Sequence, residues 1–93
     1  NVTETLARFI VEASREDLTS SIWSSVKNCL LDWLGSALAG SREPLAKAVI
    51  DLIGPSHRND ESSIIASSIK TSSILAALAN GIMGHTVEMD DLY

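Results

Sequence analysis

Apolar residues recur every three or four positions between Ile22 and Leu38, which places them on one side of an α-helix. Thr19 or Ser20 is suited to cap the start of this helix, and Gly40 is predicted to end it in the left-handed conformation. The pattern therefore predicts a long second helix. Its apolar stripe consists of Ile22, Trp23, Val26, Cys29, Leu30, Trp33, Leu34, Ala37 and Leu38.

Two shorter segments on either side of this helix have the same periodicity. Residues 2–13 predict a first amphipathic helix, because Val2, Leu6, Phe9, Ile10 and Ala13 fall on one face. Residues 41–43 are suited to cap a third helix, with Pro44 at its first position and Gly54-Pro55 as its stop. The predicted buried face of the third helix consists of Leu45, Ala48, Val49, Leu52 and Ile53.

A fourth helix is predicted to begin at Thr71 or Ser72, after an exposed loop over residues 56–60 in which His57 is solvated. Small residues on several of its faces allow other helices to pack close around it, so it is expected to be central. They are Ala76, Ala77, Ala79, Gly81 and Gly84. The chain of 93 residues is expected to form one all-α core of about four helices.

Three residues of the second helix stand out. Gly35 is unfavourable inside a helix and is expected to allow the close approach of another backbone. Asp32 lies beside the apolar stripe and is interpreted as a structurally paired carboxylate, with an active-site role as the alternative. Cys29 is expected to be a small buried hydrophobe in a reducing compartment, since a single cysteine closes no internal disulfide.

Composition excludes several classes of function. The net charge is −5 and the seven basic residues are scattered, which argues against nucleic acid. No apolar stretch reaches the roughly 20 residues that a membrane span needs, and the N-terminus lacks the pattern of a secretory signal. These features, with the unpaired Cys29, predict a cytoplasmic protein that binds neither nucleic acid nor membrane.

Polar groups are concentrated in residues 80–91, where His85, Glu88, Asp90 and Asp91 follow the predicted fourth helix. At helical spacing, His85 and Glu88 share a face. The cluster is compatible with a divalent metal site, with an acid/base or substrate-orienting site, or with a solvated acidic turn. Residue types alone favour the solvated turn.

Several stretches resemble the N-terminal pattern of the MmgE/PrpD family, which includes 2-methylcitrate dehydratase and cis-aconitate decarboxylase. They are residues 30–35 (LLDWLG), 38–40 (LAG), 76–81 (AALANG) and 85–91 (HTVEMDD). The resemblance implies a two-domain lyase of propionate metabolism, with a helical domain built from both chain ends and an inserted α/β lid. Residues 1–93 would then be the N-terminal segment of the helical domain.

The family resemblance also implies an active site at the junction of the two domains. Glu88 stands where the family usually has a catalytic Asp, and His85, Asp90, Asp91 and Asn80 would bind substrate or support the site. Leu92 replaces a usual Thr, so the sequence departs from the family at two positions.

A small di- or tricarboxylate substrate, no cofactor or metal, and a homodimer are the corresponding expectations. Because the family's further catalytic His and Lys lie beyond Tyr93, this segment alone is expected to be inactive.

Two other functions compete with the lyase. The chain is also compatible with a free-standing helical module that dimerises through the stripe containing Trp23 and Trp33. A metal-binding helical protein is the third interpretation of the acidic cluster.

Overall fold

The computed structural model describes residues 1–87, and this part of the chain is predominantly helical, which confirms the predicted class. Its helices are α1 (Val2–Glu12), α2 (Ser20–Gly40), α3 (Pro44–Ile53) and α4 (Ser73–Thr86). Short 3-10 turns at Arg15–Asp17 and Pro55–His57 and a two-stranded sheet of β1 (Arg58–Ser63) and β2 (Lys70–Thr71) complete it. None of these helices is long and apolar enough to cross a membrane.

Side-chain caps explain where three of the helices begin. The Asn1 carboxamide oxygen accepts a hydrogen bond from the backbone N–H of Glu4 at 2.7 Å, which starts α1. The hydroxyls of Thr19 and Ser72 do the same for α2 and α4, accepting from backbone N–H groups three residues later at 3.3 Å. These bonds satisfy donors that have no partner within a helix. The predicted starts at Thr19 and Ser72 are confirmed.

The core lies around α4, which contacts α2, α3 and both strands, as predicted for a central helix. Trp33 and other partly buried apolar side chains pack against the core. Small side chains dominate its centre because the helices cross at short range. The buried apolar residues are Ala37, Ala46, Ile53, Ile64, Ala76, Ala79 and Met83.

Two glycines allow the close crossing of α2 and α4. A Cβ atom at Gly40 would lie 2.9 Å from the carbonyl carbon of Met83 and would overlap its oxygen. A Cβ atom at Gly84 would lie 2.8 Å from Cε2 of the Trp33 indole. The prediction that Gly40 is a left-handed end was wrong, because it lies within α2 at this contact. Gly35 was expected to have this role, yet among residues 1–87 no atom outside its own stretch of helix lies within 4 Å of its Cβ position.

The third helix has the predicted bounds, and Ile53 and Val49 of its predicted face lie in or against the core, but Leu45 and Leu52 of that face do not. Ala46 and Ile53 are buried, whereas Leu52 is 81% exposed and Leu45 is 54% exposed. Apolar residues occupy most sides of this ten-residue helix, so periodicity does not select one face. The choice is made by packing against α4. Gly54, with φ +56°, ends α3 as predicted for the Gly-Pro stop.

The polar segment after α3 was predicted to be a loop, but residues 58–63 form strand β1, antiparallel to β2. Its sequence, RNDESS, has no apolar alternation, which is why the pattern missed it. Backbone pairing holds the hairpin together, and the Thr71 hydroxyl donates to the carbonyl of His57 at 2.6 Å. Ile64, directly after β1, is only 1% exposed and anchors the hairpin in the core.

The N-terminal part of the fold packs least. No residue of α1 is buried, although the helix itself is confirmed. Cys29, predicted to be buried, is exposed on the first half of α2. Within residues 1–87, the close contacts of α2 with α4 lie at Trp33 and Gly40 in the second half of α2, away from Cys29.

One carboxylate supports the start of the central helix. Glu61 on β1 accepts a hydrogen bond from the backbone N–H of Ser73 at 3.1 Å. Hydrogen bonds from the Ser73 side chain and from this N–H lower the pKa of the Glu61 carboxyl. A negative charge at a helix N-terminus is also favoured by the helix dipole. Glu61 therefore links the hairpin to α4.

We predict opposite effects of alanine at two glycines of α2. Gly40→Ala forces α2 and α4 apart and should lower the free energy of unfolding by about 1–3 kcal/mol. Gly35→Ala, the matched control, meets no neighbour and should raise it by about 1 kcal/mol through helix propensity. Chemical denaturation followed by circular dichroism measures both. Equal effects of the two substitutions would contradict the close crossing.

The Glu61 contact predicts a pH dependence of stability. Because its pKa is lowered in the folded chain, its contribution is present above the ordinary value of 4.5 and is lost as pH falls through the folded pKa. Glu61→Gln should reduce stability at neutral pH and make stability fall less steeply on acidification. Denaturation at a series of pH values tests this against Glu12→Gln on α1. Parallel pH profiles for the wild type and Glu61→Gln would show that the contact contributes nothing.

Candidate functional site

The predicted site residues divide into two groups. Asn80 and His85 lie on α4 and are described by the structure. Glu88, Asp90 and Asp91 lie outside the described residues, as does Leu92. The convergence expected for His85 with the three carboxylates therefore stays a prediction.

Asn80 is half-buried and uses both ends of its carboxamide. Its oxygen accepts from the backbone N–H of Ile65 at 2.9 Å, and its nitrogen donates to the carbonyl of Ser63 at 3.1 Å. Both partners lie at the end of β1, 15 and 17 residues away in sequence. Asn80 thus binds backbone groups and connects the hairpin to α4. Its role in supporting an active site stays a prediction.

His85 is exposed in the last turn of α4, beside a groove with a volume of about 420 Å³. Leu45 from α3 forms one side of the groove. The remaining lining residues come from α4 and are Ala77, Leu78, Gly81, Ile82, His85 and Thr86. The Thr86 hydroxyl donates to the carbonyl of Ile82, so part of its polar capacity is used within the helix. A groove lined mainly by hydrocarbon suits apolar side chains better than a charged ligand.

Asp32 lies apart from this groove. It is exposed on α2 in a shallow depression that it shares with Asn28 and Ser36. Within residues 1–87 it forms no hydrogen bond or ion pair, so the structural pairing expected for it is not found there. The two depressions have no lining residue in common.

His57 is exposed, as expected, and its ring nitrogen Nδ1 lies 2.6 Å from the carbonyl oxygen of Ile53. Since a carbonyl only accepts, Nδ1 carries the proton of this bond. Across residues 1–87, no three His, Cys, Asp or Glu side chains are grouped so that they could hold a metal ion. The described part of the chain therefore gives no support to the metal-binding interpretation.

Two contacts that shape the site were not predicted. Asn80 was expected to bind substrate or support the site, and its two backbone partners were not foreseen: Ser63 ends strand β1, which the sequence pattern did not reveal, and Ile65 lies in the turn that follows. The contact of Gly84 with Trp33 was likewise missed. The sequence does show a large aromatic residue on one predicted helix and a glycine on another. Such residues indicate close helix packing, but they do not show which glycine the aromatic side chain contacts.

Comparison with known proteins gives one match. The family model described as the MmgE/PrpD N-terminal domain matches residues 4–93. The matched region contains α2, α3, the hairpin and α4, together with the whole segment 80–91. No curated protein and no solved structure matches the chain.

Proposed function

The chain belongs to the MmgE/PrpD family, and from this premise we propose that it is the N-terminal segment of a lyase acting on a small di- or tricarboxylate. The single observation that carries the proposal is the family match, which extends through the segment 80–91. In this proposal residues 1–93 supply one wall of the active site. The remaining walls belong to the second part of the helical domain and to an α/β lid.

The proposed chemistry is removal of a proton next to a substrate carboxylate. In a dehydration, the Glu88 carboxylate takes the proton from this carbon, the electron pair forms the new double bond, and hydroxide leaves the neighbouring carbon. A general acid from the part of the protein beyond Tyr93 donates the proton that makes this hydroxide water. Asp90 and Asp91 hold the local network, and His85 supports the turn. No cofactor or metal is assigned a step.

In this proposal the groove beside α4 packs against another helix and does not bind substrate. Its lining by Leu45, Leu78 and Ile82 suits the side chains of another helix of the same domain. Polycarboxylates need polar partners, which this apolar lining does not supply. The substrate is therefore assigned to the polar residues at the end of α4 and not to the groove.

We predict that Glu88→Gln in the complete protein lowers kcat for its polycarboxylate substrate by at least about a hundredfold, because the base is lost while size and shape are kept. A panel of hydroxylated and unsaturated di- and tricarboxylates serves as substrates, with product formation measured directly. Glu16→Gln is the matched control, since Glu16 is exposed on the 3-10 turn after α1. Unchanged turnover in Glu88→Gln would show that this assignment is wrong.

A second candidate function is a helical module that associates with a second copy of itself. The stripe of α2 that packs on α4 through Trp33 and Ala37 continues towards the helix start as Ile22, Trp23, Val26 and Leu30, which are 38–55% exposed. Trp33 packs against Gly84 of α4, so within the described residues the Trp23 end of the stripe is the part that a second copy could contact. An 11-residue helix such as α1 is also marginal alone in water.

Helix α1 also presents apolar side chains to the surface. Leu6, Phe9 and Ile10 are 57–71% exposed and add apolar area that a partner could cover. Homodimerisation through α1 and α2 is therefore proposed as the property of a free-standing module. A lyase could also form this dimer. The two candidate functions are therefore distinguished by measuring turnover and not by the oligomeric state.

The test is sedimentation equilibrium of the wild type and two double variants. Trp23→Ser with Leu30→Ser should give a monomer, because it removes apolar area from the proposed interface. Leu52→Ser with Ile74→Ser removes residues that are 81% and 79% exposed elsewhere and should leave the dimer intact. Circular dichroism checks that each variant is folded. A wild type that stays monomeric at high concentration would contradict this candidate.

A further inference from the structure

The two hydrogen bonds of Asn80 follow the pattern that a neighbouring parallel β-strand would make. They engage the carbonyl of Ser63 and the N–H of Ile65, the two backbone groups that flank Ile64. A residue of a neighbouring parallel strand would bind the same two groups. The side-chain amide of Asn80 has the same donor and acceptor as a peptide group. It therefore supplies, from α4, the hydrogen bonds that a third strand would give to Ser63 and Ile65.

The backbone that Asn80 holds is central to the core. Ile64 is 1% exposed, its N–H donates to the carbonyl of Ile69 at 3.0 Å, and its carbonyl accepts from the Ser67 hydroxyl at 3.0 Å. The N–H and carbonyl of Ile64, the Ser63 carbonyl and the Ile65 N–H are thus all paired. The loss of Asn80 would leave the part-buried N–H of Ile65 without its partner, which is costly, and the exposed Ser63 carbonyl would turn to water.

Asn80 also stands one turn before the glycine that packs on Trp33. α4 is held to the hairpin at Asn80 and to α2 at Gly84, so two different elements determine its rotation about its own axis. His85 is the next residue. A rotation of α4 would displace this side chain together with the whole face that lines the groove.

We propose that Asn80 is a positioning residue of the lyase reaction, which acts by replacing a third strand beside the hairpin and thereby setting the orientation of His85. This inference rests on the proposed function. Asparagine suits the position because aspartate presents a second acceptor to the Ser63 carbonyl, glutamine is longer by one methylene, and alanine binds neither group.

The decisive variant is Asn80→Asp in the complete protein, with Asn28→Asp on the exposed face of α2 as the matched control. At pH 7 the carboxylate repels the Ser63 carbonyl, whereas the protonated acid has the shape and donor pattern of the carboxamide. At pH 7 we expect faster amide exchange at Ile65 and a lower kcat, each by at least about tenfold, with KM changed less than about twofold. Near pH 3.5, below the ordinary aspartate pKa of about 3.9, amide exchange at Ile65 should recover at least in part relative to the control. Asn80→Ala should show the same losses at both pH values.

Several results would overturn the inference. The first is amide exchange at Ile65 that is as slow in Asn80→Asp as in the control. The second is a higher KM while Ile65 stays protected, which would mean that Asn80 contacts the substrate. The third is faster exchange at Ile65 with an unchanged kcat. If Asn80→Asp does not fold at pH 7, Asn80→Ala, which introduces no charge, supplies the Ile65 exchange and kcat measurements, and an alanine variant equal to the control counts against the inference. Absence of turnover in the wild type would instead refute the proposed function, and Ile65 exchange would still show whether Asn80 holds the hairpin.

Discussion

The close crossing of α2 and α4 is the contact on which the rest of the fold depends. Gly40 allows α2 to lie against the backbone of Met83, and Gly84 allows the Trp33 indole to lie against α4. Because neither glycine has a side chain, the helices approach closely enough for Ala37, Ala76 and Ala79 to fill the space between elements. α3 and the hairpin then pack around α4. A core of such small residues is stable only at this distance, since wider separation would leave voids.

The hairpin is held to this helix pair by polar contacts as well as by Ile64. Glu61 binds the first turn of α4 and Asn80 binds the strand end from the middle of the helix. Each bond contributes modestly to stability, but each has a defined direction. Apolar packing alone would tolerate small rotations of α4. The hydrogen bonds remove that freedom, which matters for a helix whose last turn carries His85.

The packing of the described chain is uneven between the two halves of α2. The C-terminal half of α2 is covered by α4, whereas its first half and all of α1 present apolar side chains to the surface. Apolar stripes of this kind normally lie against other helices. A second part of the same helical domain and a second copy of the chain are the partners considered above. Either would cover the stripe that Trp23 and Leu30 leave exposed.

Local signals in the sequence were sufficient for the helices. Thr19, Ser72, Pro44 and Gly54 mark helix starts and stops, because capping and the restricted conformations of proline and glycine act within a few residues. The family could be identified for the same reason, since its motifs are short and contiguous. The polar strand β1 has no such local signal, so its pairing with β2 became apparent only in the folded chain.

The choice of faces and partners was decided by tertiary structure. Helix propensity pointed to Gly35 as a close contact and periodicity predicted that Cys29 is buried, whereas the contact lies at Gly40 and Cys29 is exposed. At the candidate site the sequence determined that Asn80 and His85 lie near the end of a central helix, but not which backbone groups Asn80 binds. Helical periodicity shows which residues share a side of a helix. Which side is buried, and over what length, depends on elements distant in sequence, whose positions follow from packing as a whole.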